Sequence, residues 1–339
     1  MNLNIFNYSL PKSSIAQLPK NNRSKSRLLI IERKSGKLID ENFYNIHKYL
    51  SKNDLLVVND TKVIPARIFG HRKKTKGKVE IFVERILSDQ SCLCQLKSTR
   101  KLYPDDIITI KDDIEIVIKT NDGSLSYIEV INSTIKELLK KYGRIPLPPY
   151  INREPSKVDN EYYQTIFAKQ NGSVAAPTAA LHFDNKVLKN IKNKGINISN
   201  ITLHIGMGTF STIKEEDINN HKMHSEIYSV PKKTFELIKE CKEKKGKVIA
   251  VGTTVARALE SFYSTGSNTD KFYETDIYIK PGYKFKIIDH LVTNFHLPKS
   301  SLLIMVSAFY NTKNIIDAYN HAISKNYKFF SYGDSTLIL

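Results

Sequence analysis

The sequence has 339 residues, 41% of them hydrophobic, so it can bury the core of one large domain or of two smaller ones. Three cysteines exclude a disulfide scaffold, and the longest apolar run, residues 302–309, is too short to span a bilayer. The formal net charge of +18 suits a polyanionic partner such as a nucleic acid, although the Asn- and Ile-rich composition indicates that codon bias supplies some of the lysines.

The amino-terminal residues do not have the basic and apolar regions of a secretory signal. Cys92 and Cys94 alternate as they would on one face of a strand, and we expect all three cysteines to be reduced. These features predict a cytoplasmic protein without membrane contact.

The first part of the chain has the pattern of an α/β domain. Residues 28–32 predict a strand, 42–50 a helix-like segment, and 55–59 a short strand buried in a sheet. The last strand ends in the polar cluster Asn59, Asp60 and Thr61. Such a cluster is equally typical of ligand contacts and of an Asx turn.

Between residues 63 and 131 the pattern changes to short alternating strands. Val79, Ile81 and Val83 alternate with polar residues, as do Ile114, Ile116 and Ile118, and turn sequences separate the runs. The pattern predicts an all-β, barrel-like domain over residues 63–150, inserted into an α/β domain formed by residues 1–62 and 151–339.

Helical and strand patterns alternate in the rest of the chain. Helices are predicted at 133–143, 234–247 and 314–326, and a strand, a glycine loop and a helix at 247–261. Residues 275–279 predict a strand. Residues 301–309 also look like a strand, although a buried helical turn fits them too.

The segment 174–226 is the richest in groups that can transfer protons. It contains His182, His204, His221, His224 and Glu226, with glycines at 206 and 208. Imidazoles that titrate near neutral pH, beside carboxylates, suit general acid and base catalysis. We expect strands near 179–183 and 201–206 to lie side by side, so that His182 and His204 reach one cleft while the glycine loop wraps a ligand. Each histidine taken alone could instead be a surface or core group.

A metal site is a weaker interpretation of the same segment. His221 and His224 are three residues apart and would share one face of a helix. Because no companion cysteine or HExxH pattern is present, we expect no metal.

Several long motifs resemble a known family. Matching strings run from the amino to the carboxyl end: YSLPKSSIAQLP, LLVVNDTKVIPARIFG, YGRIPLPPYI, VAAPTAALHF, TLHIGMGTF, HKMHSE, VIAVGTTVARALES, LVTNFHLPKSSLLIMVSAF and FFSYGD. The chain is similar to the S-adenosylmethionine:tRNA ribosyltransferase-isomerases over nearly its whole length. It departs from the pattern at Lys62, where arginine is expected, and at Met207, where alanine is expected. Lysine lacks the bidentate fork of arginine, so a contact made by residue 62 is the feature in doubt.

The resemblance implies an α/β domain with an inserted β-barrel and a metal-free reaction. S-adenosylmethionine is implied as co-substrate, with no permanently bound cofactor. Its ribosyl part would pass to a 7-aminomethyl-7-deazaguanine in the anticodon loop of tRNA, at the wobble position, and isomerise to give epoxyqueuosine with release of adenine and methionine. We expect a monomer.

Proton removal next to the sulfonium, protonation of adenine and an uncharged amine nucleophile are required by this chemistry. His182, His204, His221, His224 and Glu226 are the predicted acids and bases. The residues predicted to bind S-adenosylmethionine or the base lie within matching motifs: Asp60, Arg67, Thr178, Thr209, Arg257, Asn294 and His296.

Two other classes of protein would explain parts of the sequence. A noncatalytic RNA-binding protein would explain the charge but does not need a histidine-rich loop, and single-turnover release of adenine separates it from the transferase. A metal-dependent hydrolase would explain His221 and His224, and elemental analysis tests it.

Overall fold

The computed structural model describes residues 1–111, 114–123, 125–210, 213 and 215–339. Its strands are β1 (Arg27–Ile31), β2 (Leu38–Asn42), β3 (Leu55–Asn59), β4 (Thr61–Val63), β5 (Arg67–Arg72), β6 (Lys78–Ile86), β7 (Ser91–Ser98), β8 (Ile107–Thr109), β9 (Glu115–Asn121), β10 (Ser126–Val130), β11 (Gln170–Ser173), β12 (Asn197–His204), β13 (Glu226–Ser229), β14 (Val248–Val251), β15 (Phe272–Thr275), β16 (His290–Asn294) and β17 (Ser335–Ile338). Its helices are α1 (Ile135–Tyr142), α2 (Lys157–Tyr162), α3 (Asn185–Asn193), α4 (Lys232–Glu243), α5 (Thr253–Thr265), α6 (Ser301–Phe309) and α7 (Thr312–Ser324).

A nine-stranded mixed sheet forms the larger part of the fold. Its strand order is β15-β13-β12-β3-β14-β16-β17-β1-β2. The four neighbours β12, β3, β14 and β16 are parallel, so their carboxyl ends meet at one edge. Alternate residues of β3 enter cores on opposite faces: Leu55 and Val57 on one, Leu56 and Val58 on the other. Burial on both faces explains why β3 is an unbroken apolar run.

A closed six-stranded antiparallel barrel forms the smaller part. The strands are paired in the order β10-β7-β6-β5-β8-β9, and they follow β4 and precede β11 in the chain. Val79, Ile81 and Val83 point into the barrel core, as the alternating pattern predicts. The predicted fold class, an α/β domain with an inserted barrel, is confirmed.

Helix α1 packs its apolar face into the barrel core. Ile135, Leu138 and Leu139 are buried there, and the Thr134 side chain and Glu137 form a capping box at the first turn. The STIKELLKKYG pattern therefore predicted this helix correctly.

Two strand predictions are wrong, and at residues 301–309 the structure decides between the two alternatives. Thr178–His182 is a short 3-10 helix rather than a strand, because Pro177 precedes it and its residues pack between the sheet and neighbouring loops. Residues 301–309 form helix α6, which is apolar all round because neighbours cover it, so the buried-helix alternative holds.

The strand predicted at 275–279 also fails. Strand β15 ends at Thr275, because its partner β13 begins at Glu226, directly opposite Thr275. Beyond that point no partner strand continues the ladder, and residues 276–280 have no regular structure.

Across the described ranges, no helix is both long and apolar enough to cross a membrane.

Candidate active site

A cavity opens at the carboxyl-terminal edge of the parallel strands. Its lining includes residues at or just after the carboxyl ends of β12, β14 and β16: Ile205, Gly252 to Thr254, and Asn294 to Leu297. The short helix at 178–182 and the segment around Phe330 close it. This edge of a parallel sheet is the usual place for a ligand.

The cavity wall is apolar with neutral polar groups. Alanine, proline and aromatic residues alternate with hydroxyl groups and one amide, and none of the described lining residues is Lys, Arg, Asp or Glu. The rings of Tyr150 and Phe330 pack at a tilt with their centroids 4.6 Å apart, and the Tyr150 hydroxyl is 2.7 Å from Ser331 Oγ. Such a wall suits a ligand with a flat ring and several hydrogen-bonding groups.

Gly252 allows the chain to turn from β14 into α5. Its φ of +97° is unfavourable for residues with a side chain, and its N–H donates to Val292 O at 2.8 Å. The turn brings the first residues of α5, Thr253 and Thr254, to the cavity wall.

Four predicted binding residues line this cavity: Thr178, Thr209, Asn294 and His296. His296 Nε2 lies 2.8 Å from Thr293 Oγ1, and burial lowers the pKa of His296 to about 3. The ring is therefore neutral at physiological pH.

His182 lies behind Asn294, outside the cavity lining. Ser26 Oγ donates to Arg23 O at 3.0 Å and so accepts from His182 Nδ1, which is 2.8 Å away. His182 Nε2 then accepts from Asn294 Nδ2 at 3.1 Å. Burial lowers the pKa of His182 to about 4, so the neutral ring keeps this arrangement near pH 7.

The amide of Asn294 is oriented by these bonds. Its Nδ2 also donates to Phe330 O at 2.9 Å, which uses both amide hydrogens. Asn294 Oδ1 is buried and has no hydrogen-bond partner within the described ranges. A buried acceptor without a donor is costly, and a bound molecule with a donor group would satisfy it.

Glu226 and Arg257 form a buried ion pair next to Thr209. Arg257 Nη1 donates to Glu226 Oε2, while Glu226 Oε1 accepts from Thr209 Oγ1 at 3.1 Å and from Gly206 N at 3.3 Å. The two residues are each about 5% exposed. Because Thr209 lines the cavity, this pair is separated from it by one side chain.

His221 and His224 lie on the loop before β13. His221 Nδ1 is 3.1 Å from Glu215 Oε2, and its ring meets the edge of Tyr278. His224 is exposed and covers Gly208: a β-carbon on Gly208 would lie 2.1 Å from His224 Cδ2. His224 thus lies directly against the glycine loop, whereas His221 contacts Glu215 and Tyr278.

The remaining predicted residues lie away from the cavity. His204 Nδ1 is 2.8 Å from Thr61 Oγ1, its ring stacks on Phe272, and burial lowers its pKa. Asp60 accepts from Thr202 Oγ1 and Asn200 Nδ2, each at 2.7 Å, and burial raises its pKa. Arg67 is on the barrel, 2.6 Å from Glu80.

The structure does not bring His182 and His204 into one cleft. The two histidines have separate partners, and neither lines the cavity. Other lining residues were not singled out from the sequence, although the matching motifs contain them: Tyr150, Ala176, Thr253, Thr254, Ser300 and Ser331.

Within the described part of the chain, no cluster of three or more His, Cys, Asp or Glu side chains could hold a metal ion.

A neutral cavity at the carboxyl ends of parallel strands, bordered by buried ionisable groups, defines an α/β enzyme with an accessory β-barrel. A family model described as "Queuosine biosynthesis protein" matches residues 3–338. The chain therefore belongs to the queuosine biosynthesis protein family, and the resemblance seen in the motifs is confirmed.

Two relatives match over their whole length. The S-adenosylmethionine:tRNA ribosyltransferase-isomerases of Sulfurihydrogenibium sp. and Legionella pneumophila (strain Lens) are 47% and 46% identical to this chain, with 100% of each chain covered. The crystal structure of the S-adenosylmethionine tRNA ribosyltransferase of Thermotoga maritima is 30% identical, with a TM-score of 0.57, and covers 99% of this chain and 100% of its own.

Proposed function

We propose that this chain transfers the ribosyl part of S-adenosylmethionine to 7-aminomethyl-7-deazaguanine at the wobble position of tRNA. The sugar isomerises to an epoxycyclopentanediol, which gives epoxyqueuosine, and adenine and methionine leave. S-adenosylmethionine is the co-substrate and binds in the cavity at the sheet edge.

The neutral, partly aromatic cavity is the observation that supports this proposal most directly. Its apolar and aromatic wall suits adenine, and its hydroxyl groups suit a ribose. A sulfonium cation is favoured near aromatic faces such as those of Tyr150 and Phe330. The unsatisfied Asn294 Oδ1 can accept from an amino or hydroxyl group of the ligand.

The buried histidines fit the role of neutral hydrogen-bonding groups that orient Asn294 and Thr293 at the cavity wall. With pKa values lowered to about 4 and about 3 by burial, the rings of His182 and His296 are neutral near pH 7 and do not act as general acids. Proton donation to the departing adenine therefore falls to other predicted groups. Thr209 and the Glu226 and Arg257 pair link the cavity wall to the loop that carries His221 and His224.

Alanine variants at His182, His204, His221 and His224 test the assignment of roles. Replacing a proton-transfer residue lowers single-turnover adenine release by roughly two to four orders of magnitude, with affinity for S-adenosylmethionine and tRNA near normal. Replacing a structural histidine lowers the melting temperature instead. If all four variants react at the parent rate, the acids and bases lie elsewhere, and the segment 294–296 is the next candidate for the catalytic centre.

A cavity-filling variant tests the location of S-adenosylmethionine. Thr178→Trp places a large ring in the cavity, and we expect loss of S-adenosylmethionine binding by calorimetry with a melting temperature close to the parent. Thr120→Trp, on an exposed barrel strand, is the matched control and should bind normally. Normal binding by the Thr178 variant would place the co-substrate outside this cavity.

A further inference from the structure

The far end of the barrel carries a dense cluster of positive charge, here called the basic tip and defined as residues 71–78 and 97–101. These two ranges contain eight Lys or Arg residues and no Asp or Glu. The tip consists of the β5–β6 turn and the start of the loop after β7. Its lysines and Arg100 are exposed.

The two parts of the tip are held together by Arg72. Its guanidinium donates to the carbonyl oxygens of Arg100 and Lys101 and lies 3.4 Å from Asp106 Oδ2. Lys73 N also donates to Ile107 O at 2.9 Å. The basic side chains are therefore presented by a braced surface rather than by two independent loops.

Among the described residues, most cations of the tip have no carboxylate partner. Arg72 pairs with Asp106, and Lys73 Nζ is 2.5 Å from Glu115 Oε1. Within the described ranges no ion pair engages the other six cations, which are Lys74, Lys76, Lys78, Lys97, Arg100 and Lys101. Tyr103, 57% exposed, lies beside them with Lys101 Nζ 5.6 Å from its ring centroid.

Strand β6 connects the basic tip directly to the active-site loop. It begins at Lys78 in the tip, and six residues later Glu84 reaches the α/β domain, where a β-carbon on Gly206 would lie 3.6 Å from Glu84 Oε2. Arg85 Nη2 on the same strand is 2.8 Å from Glu274 Oε1 of β15. Six residues of extended strand span about 20 Å. The tip is thus at a set distance from Thr209 and the cavity.

We propose that the basic tip binds the phosphate backbone of the anticodon stem while the wobble base enters the cavity. The inference rests on the proposed function, which brings a tRNA anticodon loop to this cavity. An unpaired loop lets a base be splayed into a pocket, whereas the double-stranded stem beside it is recognised through its phosphates and shape. A braced set of cations, separated from the active-site loop by about 20 Å of strand β6, fits the stem rather than the loop.

Neutralising three of the cations tests this surface. The variant Lys74→Gln/Lys78→Gln/Lys97→Gln should raise the KM for tRNA by about tenfold to a hundredfold near physiological salt and leave kcat unchanged. The dependence of log affinity on log salt should become shallower by about one for each phosphate that the variant no longer neutralises. The matched control, Lys186→Gln/Lys189→Gln/Lys192→Gln on α3, removes the same charge from exposed positions away from the barrel and should keep the parent KM and slope.

A second substrate separates the possible outcomes. A single-stranded oligonucleotide that carries the modified base but no stem should react with equal kcat/KM in parent and barrel variant. The stem assignment is overturned if the barrel variant keeps the parent KM for tRNA, or if its kcat/KM decreases equally on both substrates. It is also overturned if the α3 control loses as much kcat/KM on tRNA as the barrel variant does. If the parent protein releases adenine with neither substrate, the proposed function is refuted instead.

Discussion

Burial of His182 and His296 links the cavity to the pH dependence of stability. Their folded pKa values, about 4 and about 3, are below the ordinary value of 6.5, chiefly because burial disfavours the charged ring. As pH falls below 6.5, these two histidines bind protons in the unfolded chain but not in the folded chain. The stabilisation from the neutral rings is therefore complete above pH 6.5 and is lost as pH falls towards 4.

Replacing His182 should remove part of this dependence. For His182→Gln we expect the slope of unfolding free energy against pH, between pH 6 and 4.5, to decrease by up to about 1.4 kcal/mol per pH unit. Urea denaturation at several pH values measures it. His47→Gln, at a partly exposed position, is the control, and an unchanged slope in the His182 variant would contradict the neutral assignment.

The buried pair of Glu226 and Arg257 predicts a large effect of truncation. Arg257→Ala leaves a buried carboxylate without its cation and should lower the free energy of unfolding by about 3–5 kcal/mol, measured by urea denaturation. Lys313→Ala breaks an exposed pair with Asp317 and should cost less than about 0.5 kcal/mol. Similar decreases in both variants would show that Glu226 is not desolvated.

At the scale of elements, the loop after β12 depends on a close approach between backbone and side chain. In Gly208→Ala the added carbon would lie 2.1 Å from His224 Cδ2, so the loop or the histidine must move. We expect adenine release to fall by at least about a hundredfold, since misplacing catalytic groups by about 1 Å has effects of that size. Gly206→Ala, whose added carbon meets Glu84 Oε2 at an ordinary 3.6 Å, should retain most activity. Equal activity in the two variants would remove the His224 contact from the mechanism.

At the scale of the whole molecule, we propose that residues 63–150 form an independent folding unit. The barrel is closed and, with α1, has its own apolar core, to which Val174 is the contributor from outside those residues among the described side chains. An isolated 63–150 fragment should therefore give a β-sheet circular dichroism spectrum and a cooperative thermal transition. A fragment without a cooperative transition would mean that the barrel needs the α/β domain to fold.

Local patterns in the sequence determined the barrel, the buried strand β3 and the helices with one apolar face. Period-two alternation and capping residues act over a few positions, so they can be interpreted without knowing what packs nearby. The family was likewise evident from motifs spread over the whole chain, which the match over residues 3–338 confirms.

Only the tertiary structure decided where apolar segments without periodicity belong and which polar residues meet. Residues 301–309 form a helix with most of its side chains buried, and 178–182 form a 3-10 helix packed against the sheet. Asn294 and His182 are 112 residues apart in sequence, yet they share a hydrogen bond, while His204 turns to Thr61 instead. Strand order and crossover connections set these meetings, and one-dimensional spacing carries no information about them. For that reason the sequence could nominate the ionisable groups, but only the fold could show that Asn294 and His296 line the cavity and that Arg67 lies on the barrel.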